Sequence, residues 1–150
     1  MGILGQFLVV SFVAAIVGVF GLGGLWYSPT LFGHIWNREA GMGGDASQKK
    51  NGHPAVVYGV SLLMGVISAF ATLQFVIYTH WNLGESMEFY FPIMIGALIG
   101  IGLVATSFTI NYMFGGRSLK LLAIDAGYNI LQFTIFGIVI ALWFKYIVAS

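Results

Sequence analysis

Polar side chains interrupt this chain only at intervals. A first apolar run, without a charged side chain, covers Ile3–Trp26. Further runs cover 55–80, 92–114 and 119–146, the last with Asp125 inside it and Lys145 near its end. Each exceeds the roughly 20 residues that cross about 30 Å of hydrocarbon at about 1.5 Å per residue. None shows the strict alternation of barrel strands, and an open strand would leave its backbone unpaired in lipid. The pattern predicts an all-α polytopic membrane protein: one domain over 1–150, built on four transmembrane helices. No Lys or Arg precedes the first run, which is also too long for a signal-peptide core, so it reads as a mature helix.

The connections differ from one another. Between the first two spans, Leu31, Phe32, Ile35 and Trp36 recur at helical spacing with His34, Asn37 and Arg38 among them. Ser28 reads as an N-cap and Pro29 as a first helical residue, so the expectation is a short amphipathic helix on the membrane surface. The remainder of the 28–54 connection is rich in Gly, Lys and polar residues and reads as a mobile loop. Gly115-Gly116-Arg117 predicts a tight turn between the last two spans.

Composition narrows the class. Only 7% of the residues are charged and 59% are hydrophobic, which excludes an ordinary soluble domain. A net charge of +1 with no basic face argues against nucleic-acid binding. With no cysteine there is no disulfide, thiolate nucleophile or zinc–thiolate site. Arg38, Lys49 and Lys50 lie between the first two spans, and Arg117 and Lys120 between the last two. The middle connection carries Glu85 and Glu88 and no Lys or Arg. The positive-inside rule therefore places loops one and three in the cytoplasm and both termini outside. Lys145 departs from this count, but at a helix end it can snorkel. Trp26 and Trp36 would mark the inner interface, and Trp81 and Trp143 the outer one.

Small residues are spaced for close helix contact at Ala14 and Gly18, at Gly65 and Ala69, and at Gly96 and Gly100. They fit internal packing or a homo-oligomer face. Asp125 is the carboxylate inside a span, and Asn129 and Gln132 share its helix face with Tyr128 beside them. Gln132 falls close to mid-membrane. Thr106, Thr109, Asn111 and Tyr112 lie at matching depth on the preceding helix, so an interhelical hydrogen-bond network or a solvated site is expected. His34, His53 and His80 lack metal-ligand spacing, and no catalytic triad, P-loop, HExxH or dinucleotide fingerprint occurs. Neither a metal nor a cofactor is implied.

Two segments resemble a known family. One is Leu25-Trp26-Tyr27-Ser28-Pro29-Thr30-Leu31-Phe32-Gly33-His34-Ile35-Trp36. The other runs from Gly102-Leu103-Val104-Ala105-Thr106-Ser107 through Asn111-Tyr112-Met113-Phe114 and Arg117-Ser118-Leu119-Lys120 to Asp125-Ala126-Gly127-Tyr128. They resemble the bacterial membrane family known as the domain of unknown function 1761. The resemblance implies a four-helix membrane protein without an established activity, and importance for Tyr27, Ser28, Trp36, Asn111, Arg117 and Tyr128. It also implies a Phe-Glu-Gly-Arg-Pro type turn where this chain has Phe114-Gly115-Gly116-Arg117-Ser118, and Asn where it has Asp125.

The functional expectation is a non-enzymatic structural or accessory component of the bacterial inner membrane. Its expected partners are membrane lipid and either further copies of itself or a larger membrane complex. Arg117 and Lys120, with tyrosine hydroxyls, fit either lipid phosphate or topology-setting anchors. The rival is an oligomeric channel or carrier using the Asp125 stripe. An enzyme acting on a lipid-soluble substrate is a weaker third reading.

Overall fold

A computed structural model describes residues 2–41, 53–84 and 88–148. Five helices form among the described residues: α1 (Ile3–Trp26), α2 (Gly33–Glu39), α3 (Pro54–Leu83), α4 (Tyr90–Phe114) and α5 (Leu119–Ile147). Four of them, α1, α3, α4 and α5, are long and apolar enough to cross a membrane. Lys49 and Lys50, most of the loop expected to be mobile, and Glu85 lie outside the described residues.

α5 is the central rod. It packs along α4, and also meets α1, α3 and the surface helix α2. Small residues set the approach, as they must where lipid gives no hydrophobic drive between helices. A Cβ at Gly96 would overlap the Phe133 carbonyl oxygen, and one at Gly100 would lie 2.8 Å from the Ile130 Cα. A Cβ at Gly18 would lie 2.6 Å from Phe136, and one at Gly65 2.6 Å from Val19. Ala14 and Ala69 are fully buried. Internal packing therefore occupies every small-residue position singled out in the sequence, so those positions are not free to hold a second copy. Widened π-type turns at Ile16–Leu22 and Gly100–Ala105 lie where Gly18 and Gly100 abut α5.

The core continues toward the other end of the bundle. Val10, Leu73, Val76, Ile140 and Trp143 are buried together. Phe7 meets the Trp143 ring edge-on at 5.8 Å. Trp143 is therefore a core residue and not part of an interfacial belt, whereas Trp81 is exposed. The Lys145 ammonium lies 5.5 Å from the Phe89 ring centroid and 5.2 Å from that of Tyr146.

Two turns bring loops one and three to the same end. After α1 the chain reverses: Phe32 N–H donates to the Trp26 carbonyl (3.1 Å) and Gly33 N–H to that of Ser28 (2.9 Å). This corrects the expected helix start. Ser28 donates to the Leu25 carbonyl (2.7 Å) instead of capping α2, and Pro29 lies in the turn before the helix. Gly33 begins α2 because a Cβ there would fall 2.8 Å from the Ser28 carbonyl carbon. After α4, Arg117 N–H bonds the Tyr112 carbonyl (3.0 Å) and Gly116 N–H that of Met113 (3.2 Å), with Gly116 at φ 59°. That is a Schellman stop, whose left-handed residue favours glycine. Ser118 then caps α5, its hydroxyl accepting from Lys120 N–H at 3.2 Å and donating to Glu39.

Candidate functional site

Asp125 sits on α5 about two turns beyond its Ser118 cap, facing the reversal after α1. Its Oδ1 accepts from the Tyr27 hydroxyl (2.9 Å) and from the Trp36 indole N–H (2.9 Å), and its Oδ2 accepts from the Tyr112 hydroxyl. The donors arrive from three places: the end of α1, the surface helix and the last turn of α4. One carboxylate thus ties four segments together. Among the described residues no cation pairs with it, and the ion pair found there is Arg38 with Glu39, at 3.5 Å. Oriented neutral dipoles carry the compensation. Hydrogen bonds to an ionised group are each worth about 1.5–3 kcal/mol.

Aromatic packing fixes the donors. The Tyr27 ring meets Trp36 at 5.4 Å and Tyr128 at 5.1 Å, and Trp26 packs at a tilt against Phe32 at 4.6 Å. The Trp26 indole donates to the Ile124 carbonyl at 3.1 Å. Trp26 and Trp36 therefore both bind protein acceptors. Burial, reinforced by the Asp125 charge, pushes the Tyr27 hydroxyl above its usual range, so it stays a donor. At the rim, the Ser118 hydroxyl holds the Glu39 carboxyl below its ordinary value, aided by Lys120 and Arg38. Arg117 is exposed, with its guanidinium 5.8 Å from the Tyr112 ring centroid.

Farther along the same face the environment changes. Tyr128 donates to the Val19 carbonyl (3.2 Å), and Asn129 turns one donor back to the Asp125 carbonyl (2.8 Å). Gln132 is 8% exposed and makes no side-chain hydrogen bond among the described residues. It borders a cleft of about 400 Å³ whose lining also includes Ser61, Met64 and Ser68 of α3, Val104 of α4 and Asn129.

The expected network is only partly present. Tyr112 joins Asp125, but Thr106 and Thr109 do not. Their hydroxyls donate back to the Gly102 and Ala105 carbonyls, both at 2.8 Å, and both residues are exposed. This is the usual local outlet for a helical threonine. Asn111 is likewise exposed and makes no side-chain hydrogen bond among the described residues. Glu39, Ser61 and Ser68 were not anticipated; single serines and a loop glutamate carry no spacing signal. The His80 Nδ1 is buried without a hydrogen-bond partner among the described residues, and its ring lies 5.3 Å from Phe144. His34 and His53 are exposed, and His53 caps α3 through Ala55 N–H at 3.3 Å. No group of three potential metal ligands converges among the described residues.

The clasp residues fall within a longer match. A family model described as "Protein of unknown function (DUF1761)" matches residues 10–141. The chain belongs to the DUF1761 family. Both resembling segments, and every donor to Asp125, lie inside the matched range. No curated protein and no solved structure matches the chain. Membership in DUF1761 agrees with a membrane protein of four apolar helices and brings no activity with it.

Proposed function

We propose that this DUF1761 protein is a non-enzymatic structural or accessory component of the bacterial cytoplasmic membrane, and that Asp125 locks its cytoplasmic end. The observation that supports this best is the triple donor set on one carboxylate. A group gripped from three segments is suited to hold geometry. A transport carboxylate must exchange partners during a cycle, and this one has its acceptor positions largely filled. Loops one and three are read as cytoplasmic from Arg38, Lys49, Lys50, Arg117 and Lys120. Exposed Arg117 and Lys120 suit contact with anionic lipid there.

Assembly with a second copy or a larger complex is read onto α4. It is the least buried span, 11% against 39% for α5. Its inner half also exposes Ser107 and Asn111. Polar side chains in lipid gain from a partner helix. Cysteines at these two positions should cross-link between copies in membranes; their failure to do so would remove the homo-oligomer.

The test of the main reading is a flux measurement. Proteoliposomes containing the purified protein should pass protons and small ions no faster than empty vesicles. Flux above that level, abolished by Asp125→Asn, would replace the structural reading with the transport one.

A further inference from the structure

We propose that the cleft between α3 and α4 binds an uncharged amphiphile, which enters sideways from the bilayer and presents a carbonyl oxygen to the Gln132 amide. This goes beyond the locking role of Asp125 and does not depend on it. Gln132 is nine-tenths buried, has no hydrogen-bond partner among the described residues, and still borders the open cleft. Its N–H groups are therefore available to an incoming acceptor. The other polar lining has the same character. Asn129 uses one donor within its own helix and keeps another, and Ser61 and Ser68 make no side-chain hydrogen bond among the described residues.

The chemistry of the lining selects the ligand class. Amides and hydroxyls share the lining with Val19, Val104 and Phe133, and among the described residues no Asp, Glu, Lys or Arg borders it. An ionic headgroup would lose its hydration there without finding a counter-charge. Depth points the same way. Gln132 follows Leu119 by thirteen residues, about 20 Å along the helix from the end that carries Arg117 and Lys120. A phospholipid whose headgroup remains at that surface cannot set its ester carbonyls so deep. A quinone-like head on an apolar tail can.

Access is lateral. α3 meets α4 over Tyr90–Ile99, and the two helices part beyond that stretch, where the cleft lies. Met64 is exposed at its edge, opposite Val104. A volume of about 400 Å³ accommodates a substituted single ring while the tail stays among the acyl chains.

The test uses the whole chain in phosphatidylcholine nanodiscs, titrated with 2-decyl-1,4-benzoquinone and followed by thermal unfolding and by probe retained after gel filtration. Saturable retention with a rise in Tm is expected. Gln132→Leu should weaken binding about tenfold, as the loss of one good hydrogen bond implies. Ser61→Leu, which fills the cleft from α3, should weaken it at least as much and carries the test if the first variant does not fold. Decylbenzene, with the same tail and no carbonyl, should not compete. Absence of saturable binding, undiminished wild-type affinity in both variants, or full competition by decylbenzene would overturn the proposal. So would efficient Ser61→Cys cross-linking between copies in native membranes, which would make a second chain the occupant.

Discussion

Asp125 and Gln132 lie seven positions apart on one face of α5, about 10 Å along the helix, yet they meet opposite fates. Asp125 is surrounded by indole and phenol donors from three other segments. Gln132 is buried without a donor or acceptor among the described residues and looks into a cleft. The difference comes from what stands opposite. At the capped end, the reversal after α1 and the surface helix turn aromatic rings inward over α5. Deeper in the bundle, α3 and α4 part, and nothing among the described residues fills the space between them. A polar stripe in a membrane helix can therefore be a lock at one end and a vacant contact at the other. Helical spacing alone does not distinguish the two.

Substitutions should separate these regions, with the largest effect at the lock. Asp125→Leu leaves three donors without their acceptor and should cost about 3 kcal/mol or more, read by unfolding in detergent. Asp125→Asn keeps one oxygen acceptor and should cost about 1 kcal/mol. Tyr27→Phe should cost a similar amount, about 1 kcal/mol. Gln132→Leu should have the opposite sign. Replacing an unpartnered amide on the cleft wall by an apolar side chain should stabilise the ligand-free protein by about 1 kcal/mol. A strong destabilisation by that change would mean the amide has an internal partner after all.

The smallest effects should come from pH at the rim. The lowered Glu39 pKa contributes stability above its unfolded value of 4.5, and that contribution is lost as pH falls through the folded value. Acidification below 4.5 should therefore loosen α2, seen as a change in Trp36 fluorescence that Ser118→Ala removes. The raised Tyr27 pKa has the reverse sense. Its contribution is complete below pH 10.0 and is lost as pH rises through the folded value.

Much of the fold was legible in the residues. Uncharged runs longer than a bilayer crossing dictate the spans, and Leu31, Phe32, Ile35 and Trp36 announce the surface helix, although Gly33 and not Pro29 begins it. The members of the clasp were legible one by one. Trp36 reads as an interfacial residue, Tyr27 stands out through the family resemblance, Tyr112 lies at the depth of Asp125, and Asp125 is the intramembrane carboxylate, but their convergence on that one carboxylate was not legible. It depends on the Ser28 and Trp26 carbonyls accepting across the turn and on Gly33 having no side chain. Thr106 and Thr109 misled because a helical hydroxyl finds its own carbonyl before it finds a neighbour. The cleft had no sequence signature, since Ser61 and Ser68 look like any serines on a membrane helix. Its existence follows from where two long helices diverge.

The most direct test of the lock is a double-mutant cycle between Trp36→Phe and Asp125→Leu, with unfolding free energies measured for both single variants and the pair. If the surface helix is held through the Asp125 carboxylate, the two changes should couple by about 1 kcal/mol, the double variant losing less than the sum of the singles. Strict additivity would contradict the account, because the indole and the carboxylate would then act on stability independently.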